Sequence, residues 1–177
     1  MKRNVITIVI ALICAAALCS CGSAKDAASG ADAAVSAAID TASLSDEYKP
    51  WGDKYTAASE KLSQCLPVEG ADVSTDELQK ELGSIAGSIS KENMSDSDKT
   101  NMDMLVANID NLYAQSKNMC DTKLNDIIAL SQGDYSGDFV SQMNDERAKY
   151  DELINQGKYK DAYDQLLAME EMYKSNQ

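Results

Sequence analysis

From Leu44 onward, large apolar residues recur every three or four positions, and no stretch alternates with a period of two. A stripe of that spacing lies along one side of an α-helix, whereas a half-buried strand needs apolar and polar residues in alternation. This part of the chain is therefore restricted to helices that bury one face each. Leu44, Tyr48, Trp51, Tyr55, Ala58, Leu62 and Cys65 form the first stripe, stepping by four and three in turn. Pro50 and Gly52 fall inside it, which predicts a regular helix starting near Lys49 with Pro50 in its first turn. Leu66-Pro67 ends it, and 68–73 reads as a loop.

Ser74 and Glu77 stand at capping-box spacing, followed by Leu78, Leu82, Ile85 and Ile89 on one face of a second helix. Gly83 and Gly87 weaken that helix, which predicts close approach of a neighbouring backbone. Ser95, with Asp96 and Asp98 behind it, caps a third helix that carries Met102, Leu105, Ile109, Leu112 and Met119 and then Leu124, Ile127, Ile128 and Leu130. Ending near Ser131, it would be about 54 Å long, so it either bends or serves two bundles in turn. A glycine-containing turn at 132–137 leads to a fourth helix over 138–155, with Phe139, Met143, Tyr150, Leu153 and Ile154 inward. Gly157 closes it, and a fifth helix over 158–174 turns Tyr159, Ala162, Tyr163, Leu166, Met169 and Tyr173 inward. The expected fold is an all-α antiparallel bundle of about five helices.

The front of the chain is different. Lys2 and Arg3 precede an uncharged apolar run from Val5 to Leu18, short for a membrane-spanning helix, and the run ends Leu18-Cys19-Ser20-Cys21-Gly22. These residues resemble a bacterial lipoprotein precursor. Leu18 matches the aliphatic position of the lipobox, Ser20 the small residue before the cysteine, and Cys21 the cysteine itself. Cys19 stands where Ala, Ser, Thr or Val is usual. The resemblance implies a diacylglyceryl group on the Cys21 thiol, cleavage before Cys21, and anchoring to the extracytoplasmic face of a cell membrane, or to an outer membrane where the host has two. Several buried acyl chains anchor stably, where a single chain binds marginally. An ordinary secretory signal cut near Ala17 is the other reading. The implied division is 1–20 signal peptide, 21–43 lipidated cysteine with an Ala- and Ser-rich tether, and 44–177 helical domain.

Charge narrows the partners. The chain carries 16 Lys and Arg against 29 Asp and Glu, a net charge of −13, which argues against nucleic acid. Losing Lys2 and Arg3 with the signal makes the remainder −15. The absence of histidine removes the commonest base for a serine or cysteine nucleophile, and there is no glycine-rich phosphate loop. Asp96, Asp98 and Asp103 invite a calcium loop, but counting from Asp96 puts Asn101 where glycine is needed and Ala107 where an acid is needed. They read as capping acids, so neither metal, cofactor nor catalytic residues are expected.

After cleavage only Cys65 and Cys120 stay as thiols. Up-down-up threading puts the end of the first helix and the later part of the third at one end of the bundle, so an exported chain is expected to join them in a disulfide. Two buried free thiols are the other reading. Residues 150–173 resemble one tetratricopeptide-type helical hairpin through Gly157, Tyr159, Ala162 and Leu166, which implies a helix pair that helps form a peptide-binding groove. The first-helix Trp and Gly of that family are missing, and no second copy follows at its period of about 34 residues. Tyr150, Tyr159 and Tyr163 are the candidate binding side chains. The expected function is a membrane-anchored, non-catalytic binding or scaffold module for a protein or peptide. The alternative is an acidic inhibitor or immunity-type lipoprotein that neutralises a basic toxin or cationic peptide.

Overall fold

The computed structural model describes residues 39–68 and 73–176, all within one compact unit that spans Ala34–Gln177. Cys21, the lipobox and most of the expected tether lie outside the described residues. A one-turn 3-10 helix at Thr41–Ser43 is followed by five α-helices: α1 (Lys49–Ser63), α2 (Thr75–Ser90), α3 (Asp96–Leu130), α4 (Gly137–Asn155) and α5 (Tyr159–Ser175). There is no strand among the described residues. The expected all-α bundle is the fold observed.

The helix ends follow local chemistry. At the start of α2, Ser74 Oγ accepts the Glu77 N–H while the Glu77 carboxylate accepts the Ser74 N–H. Ser95 and Asp98 repeat the arrangement at α3, and Ser136 caps α4 through the Phe139 N–H. Each such cap contributes about 1 kcal/mol. Gly157 has φ +72, and the Gly157 and Lys158 N–H groups return to Ile154 and Leu153 carbonyls, which closes α4 and aims the chain into α5.

α3 is the common element. At 1.5 Å per residue its 35 residues extend about 52 Å. Its first half packs with α1 and α2 around Tyr55, Leu62, Leu78, Ile89, Met102 and Ile109. Its second half packs with α5, and α5 with α4, around Cys120, Ile127, Met143, Tyr150, Leu166 and Met169. Of the two expectations for a helix this long, service to two bundles in turn is the one realised. Burying a large apolar side chain contributes about 1.5–3 kcal/mol, so each half of α3 is held by its own core.

α1 runs parallel to the first half of α3 and in step with it. Lys54 pairs with Asp103 at 2.6 Å, and Lys61 pairs with Asp110 seven residues further along both helices. α5 likewise runs parallel to the second half. Tyr113 donates to the Gly157 carbonyl just before α5, and Lys123 pairs with Glu170 well along it. The end of α1 and the start of α5 therefore meet near the middle of α3. There the fully buried Ser116 hydroxyl donates to Leu112 O at 2.9 Å and accepts the Leu66 N–H at 2.8 Å.

This register overturns the expected disulfide. Cys65 and Cys120 are free, buried thiols. The Lys54–Asp103 and Lys61–Asp110 pairs bring the end of α1, Ser63, level with Leu112, eight residues or about 12 Å along α3 short of Cys120. Cys65 belongs to the first core and its Sγ–H donates to Lys61 O, while Cys120 belongs to the second and donates to Tyr159 O. The glycine expectation is also corrected: a Cβ on Gly83 or Gly87 would meet nothing within 4 Å, so no backbone approaches there. Within the first core a glycine with close neighbours is Gly52 of α1, where a Cβ would come within 2.7 Å of Leu44 Cδ1 and 2.8 Å of Thr41 Cγ2. The segment from Thr41 to Leu44 crosses α1 at that point, and Ile39 packs on the same core.

Candidate functional site: a trough along the third helix

The two halves of the molecule are not equally closed. In the first, α1, α2 and α3 all pack on one another. In the second, α5 packs on both α3 and α4, but α3 and α4 meet only weakly. Both flanks of the second half of α3 are consequently concave.

The larger concavity is an open trough of about 460 Å³. Gln115, Asn118, Met119, Thr122, Lys123 and Asp126 line it along one side of α3, with Tyr163 of α5 opposite and Val68, just after α1, at one end. Steps of three and four put these α3 side chains on one face. Met119, Val68 and Tyr163 give the trough an apolar part, and Gln115, Asn118 and Thr122 give it uncharged donors and acceptors. Lys123 and Glu170 form an ion pair at 2.6 Å, with side chains only 16% and 17% exposed. Lys174 reaches the same carboxylate at 3.4 Å. Hydrogen bonding to Lys123 holds the Glu170 carboxyl below its ordinary range. Lys123 is thus neutralised within the trough wall, while Asp126 has no ion-pair partner among the described residues.

The other flank is a groove of about 290 Å³ between α3 and α4, floored by Met169 and Tyr173 of α5 and lined by Ile127, Ile128, Val140 and Met143. Ile128 and Val140 are 44% and 46% exposed. Two of its lining residues, Tyr135 and Tyr173, cluster with Phe139, the ring centroids lying 5.1–5.4 Å apart. Arg147 stands at its edge, paired with Asp151 at 2.9 Å and lying over the Tyr150 ring.

The three tyrosines expected to bind do not form one aromatic groove. Tyr150 is a core residue, 2% exposed, and burial pushes its hydroxyl up to about 12. Tyr159 is stacked at 4.4 Å on Tyr113, whose own hydroxyl is raised by burial and by Tyr159. Tyr163 lines the trough. Of the trough's α3 residues the sequence marks Met119, as part of the apolar stripe, and leaves the polar ones unmarked. The signal that marks them is a run of uncharged polar side chains, Gln115, Asn118 and Thr122, on one face of a helix otherwise rich in charge.

The thiols are set up as core residues. Burial pushes both Cys65 and Cys120 up to about 11, against an ordinary 9.0, so they stay protonated and poorly nucleophilic near neutrality. Among the described residues, no group of three Cys, Asp or Glu side chains could hold a metal ion, and no helix is long and apolar enough to cross a membrane. Comparison of the chain with protein-family models, curated proteins and solved structures finds no match.

Proposed function

We propose that this chain is a lipid-anchored, extracytoplasmic binding module, non-catalytic, whose trough along α3 receives a segment of a protein or peptide partner. The observation that carries the reading is the shape of the trough. Its α3 residues run from Gln115 to Asp126, about 16 Å along the helix, and it is open to solvent rather than enclosed. A small ligand is normally enclosed in a pocket that covers most of its surface. An elongated, open channel with apolar and hydrogen-bonding groups suits an extended chain. The anchor part of the proposal rests on Leu18, Ser20 and Cys21.

Two measurements in the producing cell test it. Metabolic labelling with a palmitate analogue is expected to mark the chain, and Cys21→Ala is expected to abolish the label and leave unprocessed precursor. A photocrosslinking residue placed at position 122 is expected to capture a defined protein, while one at position 53 on α1 captures none of it. Unlabelled wild-type chain refutes the anchor, and identical capture patterns from 122 and 53 refute the trough as the binding surface.

A further inference from the structure

The trough's charge is uneven in a way that selects among partners. Its one cation, Lys123, is already held by Glu170 at 2.6 Å, and Glu170 is further approached by Lys174. An incoming carboxylate would have to compete with that intramolecular pair. Asp126, by contrast, lines the trough with no basic partner among the described residues. The chain as a whole carries a net charge of −13, a field that draws cations toward such a concavity and repels anions.

Resting on the binding reading above, we propose that the trough recognises a lysine-bearing peptide segment, laid along α3 with one lysine side chain in the channel. The lysine stem is apolar and its head charged, so it suits a channel with both kinds of lining. Met119, Val68 and the Tyr163 ring take the methylenes, and Asp126 accepts from the ammonium. An aromatic ring beside a cation adds attraction through its electron-rich face. Gln115 and Asn118 each carry a donor and an acceptor, which match the N–H and C=O of a passing backbone. About 16 Å of channel accommodates roughly five extended residues. Dispersed surface acids alone would not produce this selectivity, because they attract any cation without regard to shape.

The test uses the full chain in neutral detergent and a fluorescent heptapeptide of alternating leucine and lysine, with its leucine–glutamate counterpart as comparison. Saturable binding of the lysine peptide is expected, with the glutamate peptide at least about tenfold weaker. Asp126→Asn removes the acceptor, and Thr122→Lys, at an exposed helical position, puts a competing ammonium in the channel. Each is expected to weaken the lysine peptide about tenfold. Asp53→Asn, the same change of charge on α1, is expected to weaken it less than about twofold. Equal losses from Asp126→Asn and Asp53→Asn overturn the inference, because they show general attraction to an acidic surface. So does equal binding of the two peptides, or no saturable binding of either. A partner crosslinked in cells from position 122 through an acidic or purely apolar segment overturns this inference and leaves the binding reading standing. Failure of capture at 122 removes both.

Discussion

Replacing Ser116 with alanine tests whether the two halves of the molecule are joined as described. Ser116 is 0% exposed and its hydroxyl is the acceptor for the Leu66 N–H at 2.8 Å. Removing it takes the acceptor from the N–H of Leu66, a residue only 5% exposed. An unsatisfied buried donor costs about 1–3 kcal/mol. Alanine is better than serine inside a helix by about 0.5 kcal/mol, which offsets part of that loss. The net expectation is a destabilisation of about 1–2 kcal/mol, or a fall in Tm of about 3–6 °C for a chain of this size. Ser84 provides the contrast. Its hydroxyl also bonds a carbonyl one turn back, Glu81 O, but it is exposed and serves no second element. Ser84→Ala therefore keeps only the propensity gain and is expected to stabilise by up to about 0.5 kcal/mol. Urea unfolding followed by far-ultraviolet circular dichroism reads both variants, and hydrogen exchange at the Leu66 amide reads the bond itself. A Ser116→Ala protein as stable as the parent, with Leu66 still protected, would refute the joint.

Gly83→Ala and Gly87→Ala are each expected to raise stability by about 0.4–1 kcal/mol, since the added methyl meets nothing and the unfolded chain loses freedom; thermal unfolding checks the sign. Gly157→Ala is expected to destabilise by about 1–2 kcal/mol or more, because φ is +72 and the new Cβ collides with the Tyr113 hydroxyl; the paired variant with Tyr113→Phe should recover part of the loss in the same assay. Both thiols should resist alkylation in the native protein and react quickly in urea, with a mass showing two added groups without prior reduction. Because burial raises both thiols from 9.0 to about 11, their contribution to stability is complete below pH 9 and drains away as pH rises through about 11. Unfolding measured from pH 8 to 11 should show that decline, and Cys65→Ala with Cys120→Ala should flatten it.

What the sequence made legible was what local chemistry decides. The apolar steps from Tyr48 to Leu62 mark the buried side of α1, and Ser74 with Glu77 and Ser95 with Asp98 mark helix starts to the residue. Gly157 was readable because a helix that ends there needs a left-handed residue. The disulfide and the trough concern how helices lie along one another. The disulfide expectation assumed that α1 reaches the later part of α3, whereas the lysine–aspartate pairs at Lys54 and Lys61 fix α1 lower down. Reading Gly83 and Gly87 as contact points overlooks that both lie on the side of α2 opposite Leu78, Leu82, Ile85 and Ile89, where no neighbour packs. The trough depends on how neighbouring helices lie. Gln115, Asn118 and Thr122 read as solvated helix surface until α5 is seen to lie beside them and α4 to turn away.

The parallel register of α1 and α3 also sets a height. The described chain enters beside the α2–α3 turn, where Glu92 accepts the Ser45 N–H and the Tyr48 hydroxyl accepts from Met94. Gln115, the nearest lining residue of α3, stands about 28 Å further up the helix from Asp96. The length of the first helical core thus separates the trough from the point where the described chain enters. Removing one turn each from α1, α2 and the first half of α3 in concert would shorten that separation by about 5 Å while leaving the lining of the trough unchanged.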